Sequence, residues 1–247
     1  MDLIIYISFR LVVGFFNLLS YPTRVALAQY LVRIGLFLMP RYRRTAETNL
    51  RLVFPAKDEA WRKKIIRESC RRLGMVFVDF IRIPQLGKDW AAAHVEFPQI
   101  ERFKEIIAAA KPKGVILVAG HLGSFEFLPY CMATMVEPMA FVARRFRQKR
   151  IDAWWNRVRC LHGNTLIPRK GAIKGILRAI NNGQAVGFLF DQNMVRSQAF
   201  FVDWFGRPAA TTKALGLAAV RTGAPVLLFA VQSTALDHYR LEMREFD

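Results

Sequence analysis

The chain has 247 residues, with 37 Lys and Arg against 19 Asp and Glu, a net charge of +18, and 53% apolar residues. That pairing of grease with charge excludes a disordered polycation, which lacks the apolar residues to bury a core. Three cysteines (Cys70, Cys131 and Cys160) exclude a disulfide scaffold and leave a compact basic protein suited to a membrane surface or a nucleic acid.

The apolar surplus begins at the amino terminus. Leu3–Leu19 is apolar nearly all round, broken by Arg10 and Asn17, and Val25–Met39 is broken by Arg33. Tyr21-Pro22-Thr23 separates the two, and Pro40 with Arg41, Arg43 and Arg44 closes the second. Neither stretch reaches the ~20 charge-free residues of a bilayer span. Residues 1–40 are therefore expected to form a helical hairpin that lies in or dips into a membrane, with the arginines at anionic headgroups. Two buried core helices are the alternative.

Asp58–Arg82 reads as an amphipathic helix. Trp61, Ile65, Ile66, Leu73, Val76 and Phe77 recur near helical spacing among Arg62, Lys63, Lys64, Arg67, Arg71 and Arg72.

From Gly114 onward short apolar runs alternate with helical segments. The strands expected are Gly114–Ala119, Met139–Ala143, Thr165–Ile167, Ala185–Phe190 and Pro225–Val231. The helices are Phe125–Met135, Gln148–Leu161, Ala172–Asn181 and Thr212–Thr222. Asn182-Gly183 and Thr222-Gly223 are stop signals. The fold class expected for 41–247 is α/β, a mixed and largely parallel sheet flanked by helices, behind the apolar N-terminal hairpin.

Polar residues cluster just after the strands' carboxyl ends: His121, Arg144-Arg145, Arg169-Lys170 and Asp191-Gln192. Ligands of open α/β sheets bind in the crevice there. The turn Gly120-His121-Leu122-Gly123-Ser124-Phe125-Glu126 supplies a reactive pair. Ser124 suits a helix N-cap and Glu126 the first turn. If His121 precedes the helix, Glu126 can hold one imidazole nitrogen while the other takes a proton from a hydroxyl. A histidine satisfied by a backbone carbonyl beside a helix-capping glutamate has the same spacing, and the residues alone leave both readings open. The sequence holds no GxSxG elbow, Walker loop, GxGxxG after a strand or HExxH.

His121 through Glu126 resembles the H-x4-D/E motif of glycerolipid and lysophospholipid acyltransferases. Arg44 with Asn49-Leu50, Val142–Arg145, Asn156–Arg159, Pro168–Gly171, Asp191-Gln192, Phe205–Ala209 with Thr211-Thr212, and Thr222–Val226 narrow the likeness. Together they are similar to the late acyltransferases of lipid A biosynthesis, from about Arg44 to Val231. Members of that family usually continue several tens of residues beyond a segment like His238–Asp247, so the completeness of the 41–247 domain is where this chain departs from the pattern.

The resemblance implies transfer of a fatty acyl group from a thioester, acyl carrier protein in preference to acyl-coenzyme A, to a hydroxyl of a membrane glycolipid. It implies His121 as base and Glu126 as its partner. Arg144, Arg145, Arg157, Arg159 and Arg169 would bind anionic groups of donor or acceptor, with Asp191 and Gln192 also in the site. Such chemistry needs a base and oxyanion stabilisation, and calls for no metal or cofactor. The basic residues Arg144, Arg145, Arg147, Lys149, Arg150, Arg157 and Arg159, interleaved with Trp154 and Trp155, would suit an acidic carrier protein. The location implied is the cytoplasmic face of the inner membrane. Rival readings are acylation of another lipid, such as a phosphatidylinositol mannoside or an ornithine lipid, and a non-catalytic lipid-binding protein. Nucleic-acid binding leaves the apolar hairpin unexplained.

Overall fold

The computed structural model describes residues 2–143, 145–169 and 171–246. Among them the apolar amino terminus forms α1 (Asp2–Leu18) and α2 (Tyr21–Leu38), the latter started by Pro22, whose fixed φ suits a first helical turn. The basic stretch after Pro40 continues as α3 (Pro40–Val53), and Asp58 caps α4 (Glu59–Arg82) by accepting from the Trp61 backbone N–H. Then come α5 (Lys88–His94), β1 (Val95–Glu96), α6 (Ile100–Ala110), β2 (Ile116–Gly123), α7 (Leu128–Met135), β3 (Met139–Ala143), α8 (Lys149–Arg159), β4 (Thr165–Pro168), α9 (Ala172–Asn181) and β5 (Ala185–Leu189). A ribbon of β6 (Ala199–Trp204) and β7 (Arg207–Thr212) precedes α10 (Lys213–Thr222), β8 (Val226–Ala235) and β9 (His238–Glu245).

Seven strands make one sheet in the order β1-β9-β8-β2-β5-β3-β4. All its pairings are parallel except β8 with β9, as the expected α/β class requires. Both faces are covered. Along β2, Leu117 and Ala119 face the core shared with α4, α6, α7 and the hairpin, while Ile116 and Val118 face α9 and α10. A strand covered on both sides loses its polar alternation, which is why it reads as a continuous apolar run.

The crossovers explain where a site can open. Connections running outward from β2 through β3 to β4 pass over the α7–α8 face, and those running back through β5 to β8 pass over the α9–α10 face. Right-handed crossovers demand that change of face when the direction reverses. The loops leaving the adjacent strands β2 and β5 therefore diverge, and a crevice forms between them at the carboxyl edge.

The hairpin is docked as well as apolar. Val13, Phe16, Val25 and Ala28 are buried in the main core, while Ile4, Leu11, Leu18, Phe37 and Leu38 stand exposed on the other side. No helix among the described residues is long and apolar enough to cross a membrane. Trp154 and Trp155, expected to offer apolar contact beside the basic residues, instead seat this hairpin and α4. Trp154 meets Phe9 edge-on at 5.0 Å and Trp155 stacks on Phe80 at 4.1 Å.

Candidate active site

β2 does not stop at Ala119 but runs on to Gly123 with a bulge: Ala119 pairs with Phe229 and Gly123 with Val231, so four steps on β2 match two on β8. The extra residues thrust His121 out of the ladder. The bulge depends on Gly123, whose φ of +61° is left-handed and whose missing Cβ would lie 2.0 Å from the Val231 carbonyl oxygen.

The neighbouring strand supplies the partner of His121. Ala119 pairs with Leu189, so His121 and Asp191 each lie two residues past a matched pair. Asp191 Oδ1 lies 2.7 Å from His121 Nδ1, and its Oδ2 accepts from the His121 backbone N–H at 2.7 Å. An ionised carboxylate only accepts, so this contact places the proton on Nδ1. Nε2 keeps its lone pair and meets the side-chain nitrogen of Gln192 at 3.2 Å. Phe125 supports the imidazole edge-on at 4.8 Å.

Glu126 goes elsewhere. No hydrogen bond joins it to His121; Arg159, at the end of α8, donates through Nε at 2.9 Å to Oε2 and through Nη2 to Oε1. The side chains are only 15% and 11% exposed. A guanidinium offers two parallel charged donors where a neutral imidazole offers one, and α8 brings that fork to the turn. The turn also differs from expectation: Phe125–Phe127 is a 3-10 turn and the helix starts at Leu128. Ser124 makes no side-chain cap. Its hydroxyl donates to Asp79 Oδ2 at 2.7 Å.

Glu126 and Arg159 line an apolar cavity of about 60 Å³ with Phe125, Met139, Phe141 and Phe188. That is well below the ~300 Å³ of a closed ligand pocket. The other arginines are dispersed. Arg145 and Arg169 are exposed at the carboxyl ends of β3 and β4, the latter with Nη2 3.9 Å from Met194 Sδ. Arg157 is exposed on α8, two residues and about 200° round the helix from Arg159. Arg144 lies outside the described residues.

The hub beneath this turn was missed in the sequence. Asp79, fully buried on α4, accepts from Tyr21 (2.9 Å), Tyr239 (2.6 Å) and Ser124. Arg82 lies between the rings of Tyr21 and Trp90 at 4.2 and 4.7 Å and pairs with Asp237. One lone acid in the apolar run Met75–Ile81 was the signal available. Burial pushes the Asp79 carboxyl above the ordinary carboxylate range, against the three hydroxyl donors and Arg82. With its folded pKa raised, the folded state holds this proton more firmly than the unfolded chain. The group's contribution is then complete below the usual carboxylate range and declines as pH rises through the folded pKa. The melting temperature of the protein relative to Asp79→Asn is expected to fall over the pH range above the ordinary carboxylate pKa of about 4. A gap constant across that range would contradict this account.

Comparison with known proteins identifies the family. A family profile described as bacterial lipid A biosynthesis acyltransferase matches residues 1–244. A lipid A biosynthesis acyltransferase of Haemophilus influenzae is 26% identical over 82% of this chain and 64% of its own length. The lipid A biosynthesis myristoyltransferase of Escherichia coli is 27% identical over 75% of this chain and 58% of its own. The lipid A biosynthesis lauroyltransferase of Escherichia coli is 27% identical over 85% and 68%. The chain thus spans about three fifths of the length of the first two relatives. With the profile matched over nearly every residue, the chain belongs to the bacterial lipid A biosynthesis acyltransferase family.

Proposed function

We propose that this chain transfers a fatty acyl group from a thioester to a hydroxyl of a lipid A precursor at a membrane surface. The observation that carries this reading is His121, held by Asp191 on Nδ1 with its Nε2 lone pair at the mouth of the crevice. An acceptor hydroxyl taking the place of the Gln192 amide would give its proton to Nε2 as its oxygen attacks the thioester carbon. The tetrahedral intermediate then expels the thiolate, which recovers the proton from the imidazolium. Asp191 stabilises that imidazolium without taking the proton. Glu126 and Arg159 form the polar wall of the apolar cavity beside this centre, and Arg145 and Arg169, exposed at the carboxyl ends of β3 and β4, supply cations for phosphate groups of the substrates.

The exposed face of the hairpin and the Arg41, Arg43 and Arg44 cluster support membrane association on the cytoplasmic side of the inner membrane. For the donor, the net charge of +18 favours an acidic carrier protein over acyl-coenzyme A, through steering that weakens with salt. The test incubates the protein with a lipid A precursor and either donor, reading product mass. One added acyl group is expected, with the carrier-protein rate falling steeply as ionic strength rises. Lys149→Glu with Arg150→Glu is expected to raise KM for the carrier protein and leave that for acyl-coenzyme A nearly unchanged. Acylation of another glycolipid in place of the lipid A precursor would overturn the acceptor assignment, and equal effects on both donors the docking surface.

A further inference from the structure

The β6–β7 ribbon has no part in the chemistry above, and its composition is unlike that of a surface hairpin. Its strands pair only with each other, outside the main sheet. Phe200, Phe201, Trp204 and Phe205 are 53%, 56%, 50% and 58% exposed. Successive strand residues point to opposite faces, so Phe200 and Phe201 leave both faces of the ribbon apolar and uncovered. The cross-strand partners are small: Phe200 faces Thr211 and Phe201 faces Ala210. An isolated two-stranded hairpin is marginal in water, and this one spends its aromatic side chains on solvent.

The tip adds a second observation. Phe205 and Gly206 have φ of 53° and 72°, as a two-residue type I′ turn requires. The first of these positions ordinarily takes Asn, Asp or Gly, because a side chain there crowds its own backbone. This chain instead holds a phenyl ring in that conformation and presents it outward.

We propose that the β6–β7 ribbon is a second membrane-contacting element, inserting its aromatic tip among the headgroups of an anionic phospholipid bilayer. Phe and Trp beside cations are the side chains suited to that layer. Arg207 is exposed directly opposite Trp204, and Lys213 Nζ lies 5.3 Å over the Phe200 ring. The ribbon's acid, Asp203, is exposed and accepts from the Gly206 backbone N–H within the turn. The tip is tied to the helices that follow the apolar hairpin: Phe205 packs on Phe54 at 5.5 Å, at the end of α3, whose other end follows the exposed Phe37, Leu38 and Met39. At its root, the Met194 backbone N–H donates to the Ala210 carbonyl at 3.0 Å. Met194 is three residues from Asp191, so seating the ribbon in the headgroup layer brings the mouth of the crevice to the bilayer, where a membrane glycolipid presents its hydroxyl.

This inference does not require His121 to be a base, and its test uses no turnover. The full chain is mixed with vesicles of phosphatidylethanolamine and phosphatidylglycerol whose acyl chains are brominated near the headgroup. Trp204 fluorescence, isolated as the difference between the protein and Trp204→Phe, is expected to be quenched. Trp204→Phe itself is expected to bind vesicles as the wild type does. Phe201→Glu with Val202→Glu is expected to lower the vesicle partition coefficient at least tenfold with the circular dichroism unchanged. An unquenched Trp204 would overturn the proposal, and that single conservative change answers the question even if the double variant misfolds. A folded double variant that partitions normally would overturn it too. So would one that loses self-association or carrier-protein binding while still partitioning normally, since the ribbon would then dock a protein.

Discussion

His121→Ala is expected to lower acyl transfer by about 10²–10⁴-fold, the usual cost of losing a positioned base, with melting temperature and vesicle binding nearly unchanged. The imidazole stands outside the ladder on a bulge and is not part of the core, so its removal opens no buried cavity. Asp191→Asn is the companion test. An amide at this position can donate to Nδ1, moving the proton to Nε2 and leaving the wrong tautomer for abstraction. Loss of comparable size is expected, following the ~10⁴ effect of such a tautomer error in a hydrolytic triad. Retention of more than about a tenth of wild-type turnover in His121→Ala would remove the histidine from the base role. If Asp191→Asn were nearly normal while Glu126→Gln was severely slowed, Glu126 would be the orienter.

The second large effect belongs to the pair behind the turn. Glu126→Gln or Arg159→Met leaves one charged side chain almost buried and unpartnered, which typically costs about 3–5 kcal/mol. Both single variants are expected to melt well below the wild type and to lose activity. Glu126→Leu combined with Arg159→Met removes both charges, and is expected to recover much of the stability because an apolar pair is readily accommodated in such a site. Its activity separates two roles. A double variant that regains stability and turnover would make the pair a packing device, whereas regained stability without turnover would place these charges in the reaction. Calorimetry and steady-state rates on the same preparations measure both quantities.

The legible part of this molecule is the part written in local periodicity. Buried parallel strands must be apolar on both faces, so β2, β3, β5 and β8 announced themselves as short continuous runs, and the helices between them carried Gly stop signals at Gly183 and Gly223. Placement of Asp191 and Gln192 just past a strand end followed from that reading, whereas β2 carries His121 on a bulge inside the strand. β9 carries an equally plain signal in Tyr239, Leu241 and Met243, buried among Arg240, Glu242 and Arg244, yet a strand with a polar face does not resemble its doubly covered neighbours. The ribbon was illegible for another reason. Its apolar residues cover no core, and Pro208 in β7 argues against a strand except at an edge.

Which side chains meet was decided only in three dimensions. The sequence by itself determined an apolar amino terminus, an α/β alternation and a histidine two residues past a buried apolar run, because each is a property of residues a few positions apart. Tertiary structure chose Asp191 over Glu126 as the neighbour of His121, 70 residues away, through the register of β2 on β5. It gave Glu126 to Arg159 through the position of α8, and Ser124 to Asp79 across 45 residues. Spacing along a chain constrains only partners within a turn or a helix. Partners on adjacent strands are set by sheet order and register, which depend on how two faces of the sheet are filled at once.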